Sequence, residues 1–175
     1  MKYLVIDTER IKGYQIYLLA YQIYNEKFEL LESKTFQDLS IDLSIRKSPK
    51  TKVKALDGVT YKVNSFVELY NQIKPLFSGK KIIVFSSTDF GAFKTNCKEL
   101  GIEYQKVEAI DLQKVLYDLS TSPIHKSNLK GYTKENKIKH NPHIPASDCE
   151  ATIELYKNLL RDYGEEYLSK YLFKM

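Results

Sequence analysis

The first part of the chain has the hydrophobic pattern of strands. Residues 3–6 are continuously apolar, as in a strand that is buried on both faces. A longer strand-like run covers residues 14–24, and a second run covers residues 28–36 after Asn25-Glu26. The two runs predict an antiparallel hairpin. Together with the first strand, they predict a three-strand meander.

The pattern changes to helices in the middle of the chain. Residues 37–63 have no clear periodicity and are predicted to be irregular, with a turn at Asp57-Gly58. Ser65 and Glu68 have the spacing of a capping box, and apolar positions of helical spacing follow in residues 66–77. This combination predicts a helix that begins after Ser65.

Strands and helices then alternate. The first of the predicted elements are a strand over 80–85, a helix that ends at Gly101, a short strand near 107–110 and a helix over 112–119. A mostly irregular segment over 121–145 follows and contains one short helix. The last predicted helix covers 147–163 and stops at Gly164, before a short helical tail. Three strands followed by alternating strands and helices predict an α/β fold. Its sheet is mixed and five-stranded, combines the antiparallel meander with parallel strands, and is flanked by helices.

Composition narrows the class of protein. The 175 residues suffice for one domain, predicted over residues 1–175, and 43% hydrophobic with 28% charged residues is typical of a soluble globular protein. No stretch approaches the roughly 20 apolar residues of a membrane helix, and the first apolar run is too short for a signal peptide. The two cysteines, Cys97 and Cys149, lack metal-ligand spacing. We therefore expect a cytoplasmic protein that does not enter the membrane.

The charge distribution favours a polyanionic partner. The formal net charge is +5, and residues 46–54 contain five basic and no acidic residues. This basic segment either contacts a phosphate backbone or is an ordinary solvated loop, and its sequence favours neither interpretation.

Two carboxylates follow the first predicted strand. Asp7 and Glu9 are two residues apart, so on an extended chain their side chains point to the same face. Neighbouring carboxylates at the mouth of an apolar strand repel each other, and a hard divalent cation would relieve the repulsion. The alternative is an acidic turn without function, because Asp-x-Glu alone is a weak motif.

Asp89 and Asp111 each follow a predicted strand and open a helix. An aspartate in the first turn of a helix interacts favourably with the helix dipole, so both are plausible as caps alone. Asp111 is interpreted only as a cap. Asp89 differs because the apolar strand before it is expected to lie beside the first strand.

The last acidic position lies where the final helix begins. Pro145 prevents an earlier start, and Ser147 and Glu150 have capping-box spacing, which places Asp148 in the first turn. His143 lies in the preceding loop, where it can take a proton from water near neutral pH. Alone, this segment is equally consistent with a surface histidine and a capping aspartate.

Together the segments resemble the DnaQ-like (DEDD) 3′–5′ exonuclease superfamily. The matching stretches are residues 3–9, 84–90 and 143–148, in the order that the superfamily has, and the resemblance extends from residue 2 to about 160. The histidine subtype (DEDDh) fits, because the tyrosine subtype would need a tyrosine at position 144, where this chain has isoleucine. The resemblance implies an RNase H-like fold.

Two departures from the superfamily pattern are informative. Residues 10–13 replace the common Thr-Thr-Gly, and residues 86–88 replace a common His-Asn. The Thr-Asp-Phe form of the second stretch is similar to the exoribonuclease branch that trims histone mRNA and small RNAs.

The resemblance also implies a mechanism. Two Mg²⁺ or Mn²⁺ ions would be held by Asp7, Glu9, Asp89 and Asp148, and His143 would deprotonate the water that attacks the terminal phosphodiester. Asp7 would bridge both ions, and Asp89 would act largely through water. The expected substrates are single-stranded RNA or DNA 3′ ends, which would contact Thr8 and Arg10, and the expected products are nucleoside 5′-monophosphates. Relatives of this size are often homodimers.

Two other functions stay open at this stage. A nucleic-acid-binding module on the same fold could have lost catalysis, although a chain without its metals would be expected to lose a carboxylate first. The same acidic cluster could also cut internally as an endonuclease, and would then release oligonucleotides.

Overall fold

The computed structural model describes residues 1–42, 60–120 and 128–175. The strands in these ranges are β1 (Tyr3–Ile11), β2 (Gln15–Tyr24), β3 (Leu30–Asp38), β4 (Thr60–Val63), β5 (Lys81–Val84), β6 (Glu108–Asp111) and β7 (Leu172–Lys174). The helices are α1 (Phe66–Ile73), α2 (Thr88–Glu99), α3 (Leu112–Leu119), α4 (Leu129–Glu135) and α5 (Pro145–Ser169), and a 3₁₀ turn over Lys74–Phe77 follows α1. The basic segment 46–54 and the turn at Asp57-Gly58 lie outside the described residues.

All the strands form one mixed sheet in the order β4-β3-β2-β1-β5-β6-β7. β1, β2 and β3 pair antiparallel, and β5 and β6 continue the sheet parallel to β1. The predicted α/β class, the meander and its parallel extension are therefore confirmed. Within the described part of the chain, no helix is long and apolar enough to cross a membrane.

The sheet has seven strands where five were predicted. β4 pairs parallel with β3 and lies in the stretch that was predicted to be irregular. β7 pairs antiparallel with β6 and occupies part of the tail that was predicted to be helical. Both are edge strands of three or four residues with mostly exposed or half-buried side chains. Strands this short and this exposed do not develop the alternation by which a strand is recognised.

β1 is buried on both faces because helices cover both sides of the sheet. Leu4 and Ile6 contribute to the apolar core beneath α1 and α2. Tyr3 and Val5 contribute to the opposite core, beneath α3 and α5. This two-sided burial explains the unbroken apolar run at the start of the chain.

The predicted capping box of α1 is confirmed, and that of α5 is wrong. The Ser65 hydroxyl accepts a hydrogen bond of 3.2 Å from the backbone N–H of Glu68. At α5 the cap residue is Ile144, and the Ser147 hydroxyl instead accepts from the backbone N–H of Asn141 at 3.0 Å. Pro145 occupies the first helical position, where its missing N–H costs nothing, so this helix can begin two residues before Ser147.

The predicted stop at Gly164 is a kink inside α5. Gly164 has φ 78°, a left-handed conformation that suits glycine, and helical structure resumes beyond it to Ser169. The short helical tail predicted after Gly164 is therefore confirmed as far as Ser169, and the chain then leads into β7.

β1 is longer than its neighbour β5, so the sheet has an opening beside the end of β5. The pairing of β1 with β5 ends at Val5, and β5 itself ends at Val84, whereas β1 continues to Ile11. Crevices at the carboxyl ends of parallel strands are the usual ligand sites of open α/β sheets. Residues 7–10 of β1, which lie beyond this pairing, line such a crevice.

We predict that Phe93→Ala lowers the free energy of unfolding by about 3–5 kcal/mol, because a fully buried phenylalanine is replaced by a cavity. Phe93 contacts the rings of Phe66, Tyr70 and Phe77 beneath the sheet. The control is Leu100→Ala at the exposed end of α2, which should cost less than about 0.5 kcal/mol. Urea denaturation followed by circular dichroism measures both. Equal losses for the two variants would contradict the packing of α2.

Candidate active site

A cavity of about 530 Å³ lies at the end of β5, within the usual range for a ligand site. It contains all the site residues predicted from the sequence. Its lining residues are Asp7, Thr8, Glu9, Arg10, Phe85, Ser86, Thr88, Asp89, Gln113, Asn128, Leu129, Lys130, His140, Pro142, His143 and Asp148. Four acidic side chains from three distant segments therefore share one cavity with two histidines and two basic side chains, those of Arg10 and Lys130.

β1 supplies residues to both sides of this cavity. Asp7 and Glu9 alternate with Thr8, so they lie on the face of the sheet that α5 covers. Thr8 points to the other face, where its hydroxyl donates a hydrogen bond of 2.5 Å to Oδ1 of Asp89. Thr8 is buried, and this contact gives its side chain a defined role in orienting Asp89.

Asp89 is buried in the first turn of α2, as the sequence predicted. Burial raises the pKa of its carboxyl to about 6, although the hydrogen bond from Thr8 and the charge of Arg10 both favour the ionised form. The Arg10 guanidinium donates to the backbone oxygen of Thr88 at 2.8 Å and to its hydroxyl at 3.3 Å. Arg10 thereby links the end of β1 to the start of α2.

Asp111 is a cap, and it also supports the cavity. Its Oδ1 accepts from the backbone N–H of Lys114 at 3.2 Å, which caps α3 as predicted. Its Oδ2 accepts from the backbone N–H of Ser87 at 3.0 Å. The second bond fixes the loop that precedes Asp89, so Asp111 positions α2 as well as α3.

The start of α5 is docked onto β2, and this docking places Asp148. The Cys149 thiol donates to the backbone oxygen of Ala20 at 3.6 Å, and the buried Gln22 amide donates to the backbone oxygen of Ala146 at 3.3 Å. Asp148 is buried in the first turn between these contacts. Because α2 and α5 both direct their N-termini at the cavity, their dipoles favour the negative charges there.

The two histidines of the cavity have different environments. The side chain of His143 is 66% exposed, and its Nδ1 lies 3.4 Å from Oε1 of Glu9. Its backbone has φ 65°, a left-handed conformation that costs a residue with a side chain about 1–2 kcal/mol. The side chain of His140 is only 4% exposed, and its Nε2 is hydrogen-bonded to Oδ1 of Asp148.

Among the ionisable residues of the cavity, sequence reasoning missed two, His140 and Lys130. His140 stands three residues before His143, and a second histidine so near the last acidic residue was the available signal. Lys130 lies on α4, in a stretch that was predicted to be largely irregular, so nothing in the sequence linked it to the acidic residues.

The acidic cluster is electrostatically unfavourable by itself. Burial raises the pKa of Asp7 well above its usual range, and repulsion from Asp89, Asp148 and Glu9 raises it further. Arg10 offsets only part of this effect. A cluster of carboxylate oxygens that repel one another is the donor set that a hard cation such as Mg²⁺ or Mn²⁺ prefers. The chemistry of these residues therefore fits divalent metal ions.

Two of the four carboxylates, those of Asp89 and Asp148, already have hydrogen-bond partners within the protein. In the ranges that the structure describes, no three His, Cys, Asp or Glu side chains are arranged to hold a metal ion as they stand. One oxygen of Asp89 is bound by Thr8, and one oxygen of Asp148 is bound by His140. Metal binding would use the oxygens that these two contacts leave.

A cysteine nucleophile is excluded. Cys149 is fully buried next to Asp148, and burial together with the nearby Asp7 and Asp148 raises the pKa of its thiol well above the usual range. The thiol is therefore protonated at neutral pH, and its hydrogen bond to Ala20 is structural.

Comparison with known proteins identifies the fold. The sequence matches no protein-family model, and no curated protein sequence is similar to it. Among solved structures, one described as 3′-end specific recognition of a histone mRNA stem-loop by a 3′-exonuclease superposes with a TM-score of 0.68 at 12% identity, over 99% of this chain and 90% of that one. A full-length 3′-exonuclease gives 0.63 at 14% identity, over 99% and 66%.

E. coli Exonuclease I in complex with a dT13 oligonucleotide gives a TM-score of 0.60 at 15% identity, over 97% of this chain and 43% of that one. The chain thus spans less than half of Exonuclease I and most of the first structure. At such low identity the likeness establishes the fold. The three matched structures are described as exonucleases, and the α/β fold that the resemblance implied is confirmed.

We predict that Asp7→Asn stabilises the metal-free protein at pH 8. A carboxyl whose pKa is raised in the folded state stabilises the fold while it is protonated, and this contribution is lost as the pH rises through the folded pKa. The variant carries no such charge, so its midpoint of thermal unfolding in EDTA should exceed that of the wild type by a few degrees, or about 1 kcal/mol.

The difference between the two proteins should shrink towards pH 4, where the wild-type carboxyl is protonated. Glu150→Gln, an exposed acidic residue on α5, is the matched control and should change the midpoint little at either pH. A less stable Asp7→Asn protein at pH 8 would contradict the electrostatic description of the cluster.

Proposed function

We propose that this protein is a metal-dependent 3′–5′ exonuclease of the DEDDh type, which removes nucleoside 5′-monophosphates from the 3′ ends of single-stranded RNA or DNA. One observation carries the proposal. Asp7, Glu9, Asp89 and Asp148 share a single cavity with an exposed histidine, His143, on a fold whose matched structures are 3′-exonucleases.

The oxygens of the four carboxylates are the proposed ligands of two Mg²⁺ or Mn²⁺ ions. Bound ions of this kind neutralise charge on the phosphodiester and favour hydroxide over water at the reacting phosphorus. Asp7 is the proposed shared ligand, because repulsion from each of the other three carboxylates raises the pKa of its carboxyl. Thr8 orients Asp89 through its hydroxyl group.

His143 is the proposed general base. Its imidazole is exposed to the cavity and to solvent, so protons can exchange between the ring and bulk water. It can therefore take a proton from the attacking water and release it to bulk solvent between cycles. The contact of Nδ1 with Glu9 holds the ring beside the acidic cluster.

Two cations are proposed to bind the substrate phosphates. Arg10 and Lys130 both line the cavity, from the end of β1 and from α4 respectively. Positive side chains at the edge of an acidic site offset the repulsion between its carboxylates and a phosphodiester. One matched structure is described as recognition of a histone mRNA stem-loop, and another is a complex with a dT13 oligonucleotide. We therefore propose both RNA and DNA as substrates. Homodimerisation and a cytoplasmic location stay predictions.

The first test is time-resolved digestion of 5′-labelled single-stranded RNA and DNA in parallel, with Mg²⁺ and with Mn²⁺. The wild type should shorten the substrate one nucleotide at a time from the 3′ end. Asp7→Asn should abolish product release, and His143→Ala should lower kcat by about 100-fold or more while the protein still binds Mn²⁺. Internal oligonucleotide products would indicate an endonuclease. Binding without any product under either metal would indicate an inactive module and overturn the proposal.

We predict that Arg10→Gln raises KM by about tenfold with a smaller change in kcat, and reduces the dependence of binding on salt, because one phosphate contact is lost. The matched control is Lys134→Gln, which removes an exposed charge from α4 outside the cavity and should leave KM unchanged. Steady-state kinetics at several salt concentrations measures both variants. Equal effects of the two substitutions would mean that Arg10 contributes only general positive charge.

A further inference from the structure

The buried histidine of the cavity has a contact that the proposed reaction does not require. Nε2 of His140 is hydrogen-bonded to Oδ1 of Asp148, and its Nδ1 lies 3.0 Å from the hydroxyl of Thr133 on α4. Both ring nitrogens are therefore engaged. Thr133 is 2% exposed, so this chain of contacts is shielded from solvent.

A neutral imidazole suits this arrangement. When Nε2 carries the proton it donates to the Asp148 carboxylate, and Nδ1 is then an acceptor for the Thr133 hydroxyl. That hydroxyl also lies 3.1 Å from the backbone oxygen of Lys130, which is its alternative acceptor. The bond to Asp148 holds the ring in both cases, and Thr133 adds a second point of attachment when its hydroxyl donates to Nδ1.

A Thr–His–Asp nucleophilic triad is excluded by position. Thr133 lies on α4, does not line the cavity and is buried. No substrate carbonyl or phosphorus can reach it, so the alignment of these side chains does not supply a nucleophile.

Anchoring of the loop does not explain the contact either. The backbone N–H of Asn141 donates to the Ser147 hydroxyl at 3.0 Å, and the N–H of Ile138 donates to the backbone oxygen of Thr133 at 2.9 Å. The loop between α4 and α5 is thus tied at both ends through its backbone. The side chain of His140 adds a bond to one particular carboxylate oxygen.

We infer that His140 is a positioning residue for Asp148. The inference rests on the proposed function, in which Asp148 is a metal ligand. By occupying Oδ1, His140 restricts the rotation of the carboxylate, and Oδ2 is the oxygen that this contact leaves for a cation in the cavity that Asp148 lines with Asp7 and Glu9. Partners that orient a ligating carboxylate in this way typically change metal affinity or activity by about 10–100-fold when they are removed.

The two histidines should therefore respond differently to substitution. His140→Ala should weaken Mn²⁺ binding, measured by isothermal titration calorimetry without substrate, by about 10–100-fold. Its activity should recover at high Mn²⁺. His143→Ala should bind Mn²⁺ within about twofold of the wild type and stay slow at every metal concentration, because a lost general base cannot be replaced by more metal.

Two further variants separate positioning from loop anchoring. His140→Gln keeps an amide donor that can reach Asp148, and should restore most of the Mn²⁺ affinity. Ser147→Ala removes the backbone tie of the loop and leaves the His140 contact in place, so its Mn²⁺ affinity should be that of the wild type. If Ser147→Ala weakened binding as much as His140→Ala, loop anchoring would explain the result and the inference would be overturned.

Should His140→Ala fail to fold, His140→Gln and His140→Met carry the test, because both fill the space and only glutamine can donate a hydrogen bond. The His140→Gln protein should then bind Mn²⁺ at least about tenfold more tightly than the His140→Met protein. Wild-type affinity in every His140 variant, with nuclease activity intact, would overturn the inference alone. A wild-type protein that neither binds Mn²⁺ nor releases nucleotides would overturn the proposed function together with it.

Discussion

The repulsion among four carboxylates at the end of β5 is the constraint on which the site depends. Burial and mutual repulsion raise the pKa of Asp7 well above its usual range, so the folded chain holds these groups together at a cost. The N-termini of α2 and α5, the guanidinium of Arg10 and the hydroxyl of Thr8 each offset part of it. None of them neutralises the cluster, and this residual charge is the physical reason to expect divalent cations there.

The acidic residues meet at one place because β1 presents side chains to both faces of the sheet. Because side chains alternate along β1, Asp7 and Glu9 face α5 while Thr8 faces α2. Helices on opposite sides of the sheet therefore deliver their acidic residues to the same place, provided that the neighbouring strand ends early. β5 does so at Val84. This requirement concerns strand length and alternation more than particular core residues, which explains how the fold persists at 12–15% identity to the matched structures.

The parts of the fold that were predictable depend on local sequence. The apolar run of β1, the Ser65 cap and the Asp111 cap are each encoded within a few residues, and the structure has them. The edge strands β4 and β7 exist because β3 and β6 offer unpaired edges to distant segments, and a short exposed sequence carries no trace of that pairing. The bond from Ser87 to Asp111 is non-local in the same way. The capping role of Asp111 could be predicted from the sequence. Its second hydrogen bond, to Ser87, depends on where the neighbouring loop lies in the fold.

The same distinction explains why one histidine was found and the other missed. His143 stands at a fixed interval from Asp148, so a pattern of residues suffices to select it, although its role depends on an exposed position that only the loop provides. His140 is defined by what surrounds it: α4 beneath its Nδ1 and Asp148 at its Nε2. The general base proposed for His143 has to exchange protons with solvent, whereas the orienting role inferred for His140 requires a fixed ring. The loop meets both requirements, because it buries the first ring and, through the left-handed conformation at His143, exposes the second.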